Sequence, residues 1–183
     1  MSLINKSYFI GPLTIAQLGH NNVVNNLTTF IERFEAEVLQ AAMGYDLYKA
    51  FIDGLDVGSD EEIAQKWLDL RDGKVFTTQS SIKKQWNGIA NASTKRSIIA
   101  PVIYTEILRD EAITKTGIGT AVAESENTVS ISPDLKITTA WFKMRQDIFV
   151  LWEFLMANQT VYTEYKYSQI NFGYFGSQNQ FGI

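Results

Sequence analysis

The chain carries one histidine, His20, and no cysteine. Those two facts remove most routes to a catalytic or metal centre. A Ser–His–Asp type nucleophile needs an imidazole held by a partner, and His20 sits in a polar run with none evident. Zinc sites draw on several His or Cys ligands, and thiolate and disulfide chemistry is excluded with the cysteines. Gly117-Ile118-Gly119 is half of a dinucleotide fingerprint, but it follows a predicted helix where the fingerprint requires a strand. It reads as a helix stop and loop hinge. No phosphate loop of the G-x-x-x-x-G-K-[ST] form occurs. The acidic run Asp53, Asp56, Asp60, Glu61 and Glu62 lacks the spacing of a calcium loop. Its last three members fall in the first turn of a predicted helix, where the dipole favours negative charge. Asp110-Glu111 and Glu124 with Glu126 read as solvated groups; a carboxylate pair acting as general acid and base stays open, but nothing selects one. Trp67, Trp86, Trp141 and Trp152 could stack sugars or bases, yet three lie on apolar helical stripes or at a hairpin end, which favours core packing. No catalytic residue, metal ligand or cofactor is expected.

The elements that would position these groups belong to one domain. The sequence has 183 residues, 45% of them hydrophobic, enough for a single core. Its formal charge is −4 and no basic stripe runs through it, so binding by phosphate neutralisation is not indicated. No apolar run reaches the roughly 20 residues of a membrane span. The opening MSLINKSYFIG lacks a basic region followed by an apolar core and does not read as a signal peptide. The N-x-S/T triplets at Asn26, Asn91 and Asn158 then read as chance, and the bulk properties as those of an intracellular soluble protein.

Residues 1–20 read as an N-terminal arm, extended or an edge strand, since Pro12 removes a ladder donor. Leu27, Ile31, Phe34, Val38 and Ala41 recur at helical steps and predict a first helix over about 22–42. Gly44 interrupts, and GYDLYKAFIDGL follows as a short amphipathic helix with Gly54 as its natural stop. Ser59 with Glu62 has capping-box spacing and opens a third helix bearing Trp67, Leu68 and Leu70. Lys74 to Thr78 and Ile82 to Trp86 predict a small hairpin around Gln79-Ser80-Ser81. A fourth helix spans about 94–116, with Pro101 either near its true start or bending it. Residues 117–131 form a long Gly-, Thr-, Val- and Ser-rich excursion. Ser132-Pro133 is a helix start, and the last helix runs to about Asn158. From Ile148 to Met156 only Glu153 is polar, so that helix demands cover on every side, from the C-terminal tail or from a second subunit. The fold class is mainly α: a bundle of four to five helices with a small β-hairpin or extended loop and extended terminal arms.

Residues 159–183 form a C-terminal tail that breaks the usual composition of disorder. Tyr162, Tyr165, Tyr167, Phe172, Tyr174, Phe175 and Phe181 crowd a segment whose only charges are Glu164 and Lys166. Each aromatic can bury roughly 150–250 Å², so the tail is expected to lie on a surface, of its own domain or of a neighbouring subunit.

The chain resembles the small helical head–tail connector proteins (neck or adaptor proteins) of tailed bacteriophages, and most closely a group from phages and prophages of Bacteroidetes-type hosts. The residues that carry this are Gly44-Tyr45-Asp46-Leu47-Tyr48 after a long first helix, and Lys66-Trp67-Leu68-Asp69-Leu70 leading into Gly73-Lys74-Val75-Phe76-Thr77. Trp86-Asn87-Gly88-Ile89 follows, then the Pro101 helix with Ile103-Tyr104 and Arg109, Thr116-Gly117-Ile118-Gly119, and the Trp141 helix. The likeness covers about residues 20–158, the connector domain being 21–158; the order and spacing of short motifs make it, and the two ends are less typical. It implies a non-catalytic virion protein, made in the host cytoplasm and located in the neck. The implied partners are sister subunits in a twelve-fold ring, the portal protein, and the tail or further neck proteins. DNA would pass through the channel without specific binding, and no membrane is involved. Under that reading the tail aromatics, with Gly117, Gly119, Val122 and Val129 of the excursion, form the interface, and the tail is buried across a subunit boundary. A tail-completion or terminator ring of the same neck is the nearest alternative; a small helical ligand-binding domain or enzyme is the more distant one.

Overall fold

The computed structural model describes residues 2–15, 18–19, 21–57, 62–117 and 133–176, side chains excepted at 22, 111–117 and 133–134. α1 (Asn21–Met43) forms where apolar residues return every three or four positions, and Leu27, Ile31, Val38, Leu39 and Ala42 are buried along it. α2 (Tyr45–Leu55) buries Leu47 and Phe51, one turn apart, and α3 (Gln65–Asp72) buries Trp67 and Leu70. α4 (Ala100–Gly117) lies between α1 and α5 (Pro133–Ala157), and these three long helices enclose the core. The chain is mainly helical, with five helices and a small antiparallel hairpin among the described residues.

The hairpin pairs β1 (Lys74–Thr77) with β2 (Lys83–Trp86), Lys74 opposite Trp86 and Thr77 opposite Lys83, and it packs on α5. Its buried side is Phe76 and Trp86, and both rings meet Phe154. A second, two-residue ladder joins β3 (Ala90–Asn91) to β4 (Arg96–Ser97). At the foot of the hairpin two backbone segments cross. Gly73 and Gly88 hold φ of +96° and +92°, and a Cβ on either would come within 2.4 Å of a carbonyl oxygen, that of Trp86 or of Arg71. Only glycine meets both the angle and the space. The crossing lets the Trp86 indole donate to the Leu70 carbonyl at 3.0 Å, ending α3 against the hairpin.

Four expectations need correction. Gly54 does not stop the second helix, which runs through it to Leu55 and is capped at Asp56. The third helix begins at Gln65; the capping role assigned to Glu62 falls away because Glu62 and Ile63 precede the helix, and Ser59, its expected start, lies outside the described residues. The fourth helix does not reach back to residue 94, because Arg96 and Ser97 are held in the small ladder. The Ser97 hydroxyl accepts from the amides of Ile99 and Ala100 (3.0 and 3.4 Å), and Pro101 is the second helical residue, where its missing N–H costs nothing. The N-terminal arm is neither extended nor a strand. It makes two 3-10 turns, Lys6–Tyr8 and Gly11–Leu13, and buries Ile4, Tyr8 and Phe9 in the main core.

A carboxylate anchors that arm. Glu35, on α1 and 9% exposed, accepts from the Ser2 hydroxyl (2.8 Å) and from the amides of Leu3 (3.0 Å) and Ile4 (3.4 Å). The Tyr8 hydroxyl donates to the Ala90 carbonyl at 3.1 Å. The boundaries expected at 20/21 and 158/159 mark changes of secondary structure, while packing runs continuously across both.

Candidate functional site

Two surfaces carry chemistry that the core does not use: the tail with the outer side of α5, and a groove beside the N-terminal turns. The tail starts where α5 stops, with the amides of Val161 and Tyr162 donating to the Asn158 carbonyl. Tyr162 then turns inward. Its ring lies 6.2 Å from Trp67 and 5.6 Å from Phe154, and its hydroxyl donates to the Lys66 carbonyl at 2.7 Å. Burial pushes this phenol well above its ordinary range, with the nearby Asp69 charge adding to the effect. Tyr165 is also buried, and its hydroxyl, without a hydrogen-bond partner, is pushed up to about 12.

Polar contacts pin the rest of the path. Glu164 pairs with Lys66 at 3.1 Å, and Lys166 and Gln169 both donate to Asp46 of α2, at 2.5 and 3.0 Å. Lys166 is the main reason the Asp46 carboxyl is held below the usual range. Ile170 is buried, the Asn171 amide donates to the Ala41 carbonyl at 3.1 Å, and the Trp141 indole donates to the Gly176 carbonyl at 2.9 Å. The described part of the tail therefore lies on its own bundle.

This settles which candidate interface residues remain available. Tyr162, Tyr165 and Phe175 are 2%, 7% and 3% exposed and belong to the chain's own core, so they are withdrawn as docking residues. Tyr174 is half-buried, its phenol raised by burial first and by Glu37 and Glu106 after it. Tyr167 and Phe172 stay 59% and 40% exposed, with their rings 4.9 Å apart. Gly117 is the last residue of α4. Gly119, Val122, Val129 and Phe181 lie outside the described residues, as do the rest of the excursion and His20.

Beside Phe172 runs an aromatic stripe that sequence reading identified only as over-apolar. Phe142, Arg145, Phe149 and Trp152 follow one another on α5 at steps of three, four and three, which stacks them on one face. Phe142 and Phe149 are 60% and 52% exposed. Phe172 covers Trp152 at 4.7 Å, and Phe149 meets the same indole edge-on at 5.3 Å. The Arg145 guanidinium lies 6.0 Å from the Phe149 ring, and its Nε is buried with no hydrogen-bond partner among the described residues. Arg145, Phe149, Trp152 and Phe172 border a depression of about 190 Å³. Cover was expected all round this helix; the described part of the tail supplies it over Trp152, while Phe142 and Phe149 stay 60% and 52% exposed.

The second surface is a groove of about 670 Å³ between the Gly11–Leu13 turn, the β3–β4 ladder, the start of α4 and the first half of α5. Lys95, Arg96, Lys136 and Lys143 line it, and none has an ion-pair partner among the described residues. Lys95 lies 5.3 Å from the Tyr8 ring. Among the described residues, Asp147 is the one carboxylate in the lining. Burial raises its pKa, an effect partly offset by the hydrogen bond from Asn87 and by the charges of Arg96 and Lys143. No basic stripe exists along the chain, yet folding assembles a basic patch from two distant segments. The sequence signal was present: Lys95 and Arg96 are adjacent, and Lys136 and Lys143 are seven apart, two turns along one helix face.

Neither surface assembles an acid–base or nucleophile system from the described side chains. Among the described residues no group of three or more His, Asp or Glu stands where it could hold a metal ion, and no helix is long and apolar enough to cross a membrane. No protein-family model matches the chain, and it matches no curated protein and no solved structure. The arrangement suits binding: one surface offers bare aromatic area, the other unneutralised positive charge.

Proposed function

We propose that the chain is a structural subunit of the head–tail connector of a tailed bacteriophage, acting by assembly rather than by catalysis. The observation that carries this reading is the aromatic stripe of Phe142, Phe149 and Phe172, joined by Tyr167. These rings stay 40% to 60% exposed beside the described part of the tail. Exposed aromatic clusters of this kind are costly in an isolated protein and characteristic of protein contact surfaces. The ordering of motifs in residues 20–158 supplies the rest of the argument and supports a closed ring, twelve-fold by resemblance, below the portal. In that position the stripe contacts the portal or the next neck protein, and DNA passes through the ring without specific binding.

The test is imaging of virus particles purified from cells that produce this protein. Density for the helical bundle in a ring at the head–tail junction is the expected result. A particle that lacks the chain, or that carries it in the capsid shell or at the tail tip, overturns the proposal.

A further inference from the structure

The groove beside the N-terminal turns holds charge that no described residue pairs. Four cations face it against a single carboxylate, in a protein whose formal charge is −4. At about 670 Å³ it has the volume of some twenty liquid-water molecules, at roughly 30 Å³ each, so it is far larger than a single inorganic anion requires. Its lining is also apolar: Pro12 and Leu13 contribute, and Ile10 and Leu135 at its edge are 53% and 60% exposed. A fitting occupant brings negative charge and apolar side chains together. A sugar-phosphate backbone offers the charge alone, and Asp147 among the cations would repel it.

The chain contains a segment with that chemistry. From Asp53 to Glu62 it has five carboxylates, no lysine or arginine, and the apolar residues Leu55 and Val57. Asp53 is paired with Lys49 at 2.7 Å, whereas Asp56 and Glu62 are exposed with no ion-pair partner among the described residues, and Val57 is 37% exposed beside Asp56. Among the described residues, none of the groove's lining comes from this segment, whose residues 58–61 lie outside them. We infer that the groove receives the Asp53–Glu62 segment of a second copy of the same chain. Because the two surfaces are different parts of the molecule, the contact is head-to-tail and repeats from copy to copy, closing a ring where the rotation permits. The inference rests on the assembly reading above and names the sister-subunit contact within it. It leaves the aromatic stripe free for a different neighbour.

The test uses two charge-reversed forms of the full chain, Arg96→Glu with Lys143→Glu, and Asp56→Lys with Glu62→Lys. Circular dichroism establishes that each is folded, and sedimentation at low ionic strength reads self-association. The wild type is expected to associate, and to do so less as salt is added and charges are screened. Each variant alone is expected to weaken association by at least about tenfold, since like charges then face each other across the contact. Mixing the two variants restores association, because each reversed surface meets a reversed partner. Carbodiimide coupling of the wild type, mapped by mass spectrometry, is expected to join Lys136 or Lys143 to carboxylates of the segment between two chains.

Three results overturn the inference. A wild type that stays monomeric and yields no such cross-link rules out this self-contact. Variants that associate as the wild type does place the sister contact elsewhere and leave the connector reading standing. Labelled duplex DNA that binds the wild type, is lost in the groove variant and is retained in the segment variant assigns the groove to nucleic acid. Particle imaging judges the connector reading separately, so the two can fail independently.

Discussion

Glu35 does the work at the N-terminus that a longer hydrophobic contact would otherwise have to do. Its carboxylate gathers a hydroxyl and two backbone amides from Ser2 to Ile4, which fixes the arm and places Tyr8 under the small ladder. Glu35→Ala leaves those buried donors unpaired and is expected to cost about 1–3 kcal/mol, measured by urea unfolding. Amide exchange at Leu3 and Ile4 should accelerate with it. The pH dependence has a definite sign. Burial raises the folded-state pKa of Glu35, with the hydrogen bonds from Leu3, Ser2 and Ile4 opposing the shift. The folded protein therefore holds this proton more tightly than the unfolded one, and the associated stability is present at low pH and lost as pH rises above about 4.3, the unfolded value. Against Glu35→Gln, which cannot titrate, the wild type should lose relative stability between that pH and neutrality. Tyr162 offers a second single-residue test. Tyr162→Phe keeps the ring and loses one hydrogen bond, an expected cost of about 1 kcal/mol, whereas Tyr162→Ala empties the space between Trp67 and Phe154 at about 3–5 kcal/mol.

At the scale of elements, legibility followed periodicity. α1, α2 and α5 were readable because their buried rows return at helical steps and glycine or proline punctuates them. The β1–β2 hairpin was readable from its two short runs around a polar turn. The β3–β4 ladder was not, because two paired residues on each side leave no alternation to detect, and the helical pattern of α4 masks its start. The terminal segments were missed for a related reason. Ile4, Tyr8, Phe9, Tyr162 and Phe175 have no period at all, since 3-10 turns and irregular chain bury them one at a time. Composition revealed that the tail needs a surface; it could not say whose. Deletion of residues 159–183 should accordingly destabilise the bundle, not release a folded bundle that merely docks poorly, and a broadened, early thermal transition is the expected readout. The α5 stripe predicts the opposite pattern. Phe142→Ser is expected to change unfolding stability by no more than about 0.5 kcal/mol, as usual for exposed positions. Together with Phe149→Ser it should reduce incorporation into particles, scored by counting the chain in purified assemblies.

For the whole molecule, net charge proved a poor guide to where charge sits. A total of −4 conceals a groove lined by four cations and a separate segment with five carboxylates. Linear reading registered the acidic segment and treated it as helix-capping; the basic patch existed only after residues 95–96 and 136–143 were brought together. The order of the chain has one more consequence. Tyr162 seats against Trp67 and Lys66, and Asn171 bonds to Ala41, so residues synthesised late close over helices made long before. The α2–α3 face must wait, greasy side open, while the ribosome completes the last two helices and the stretch beyond them. The nascent protein is thus most vulnerable to chaperone capture, or to wrong partners, until Tyr162 emerges, and locking into its finished form is a late event however early its first helix coils.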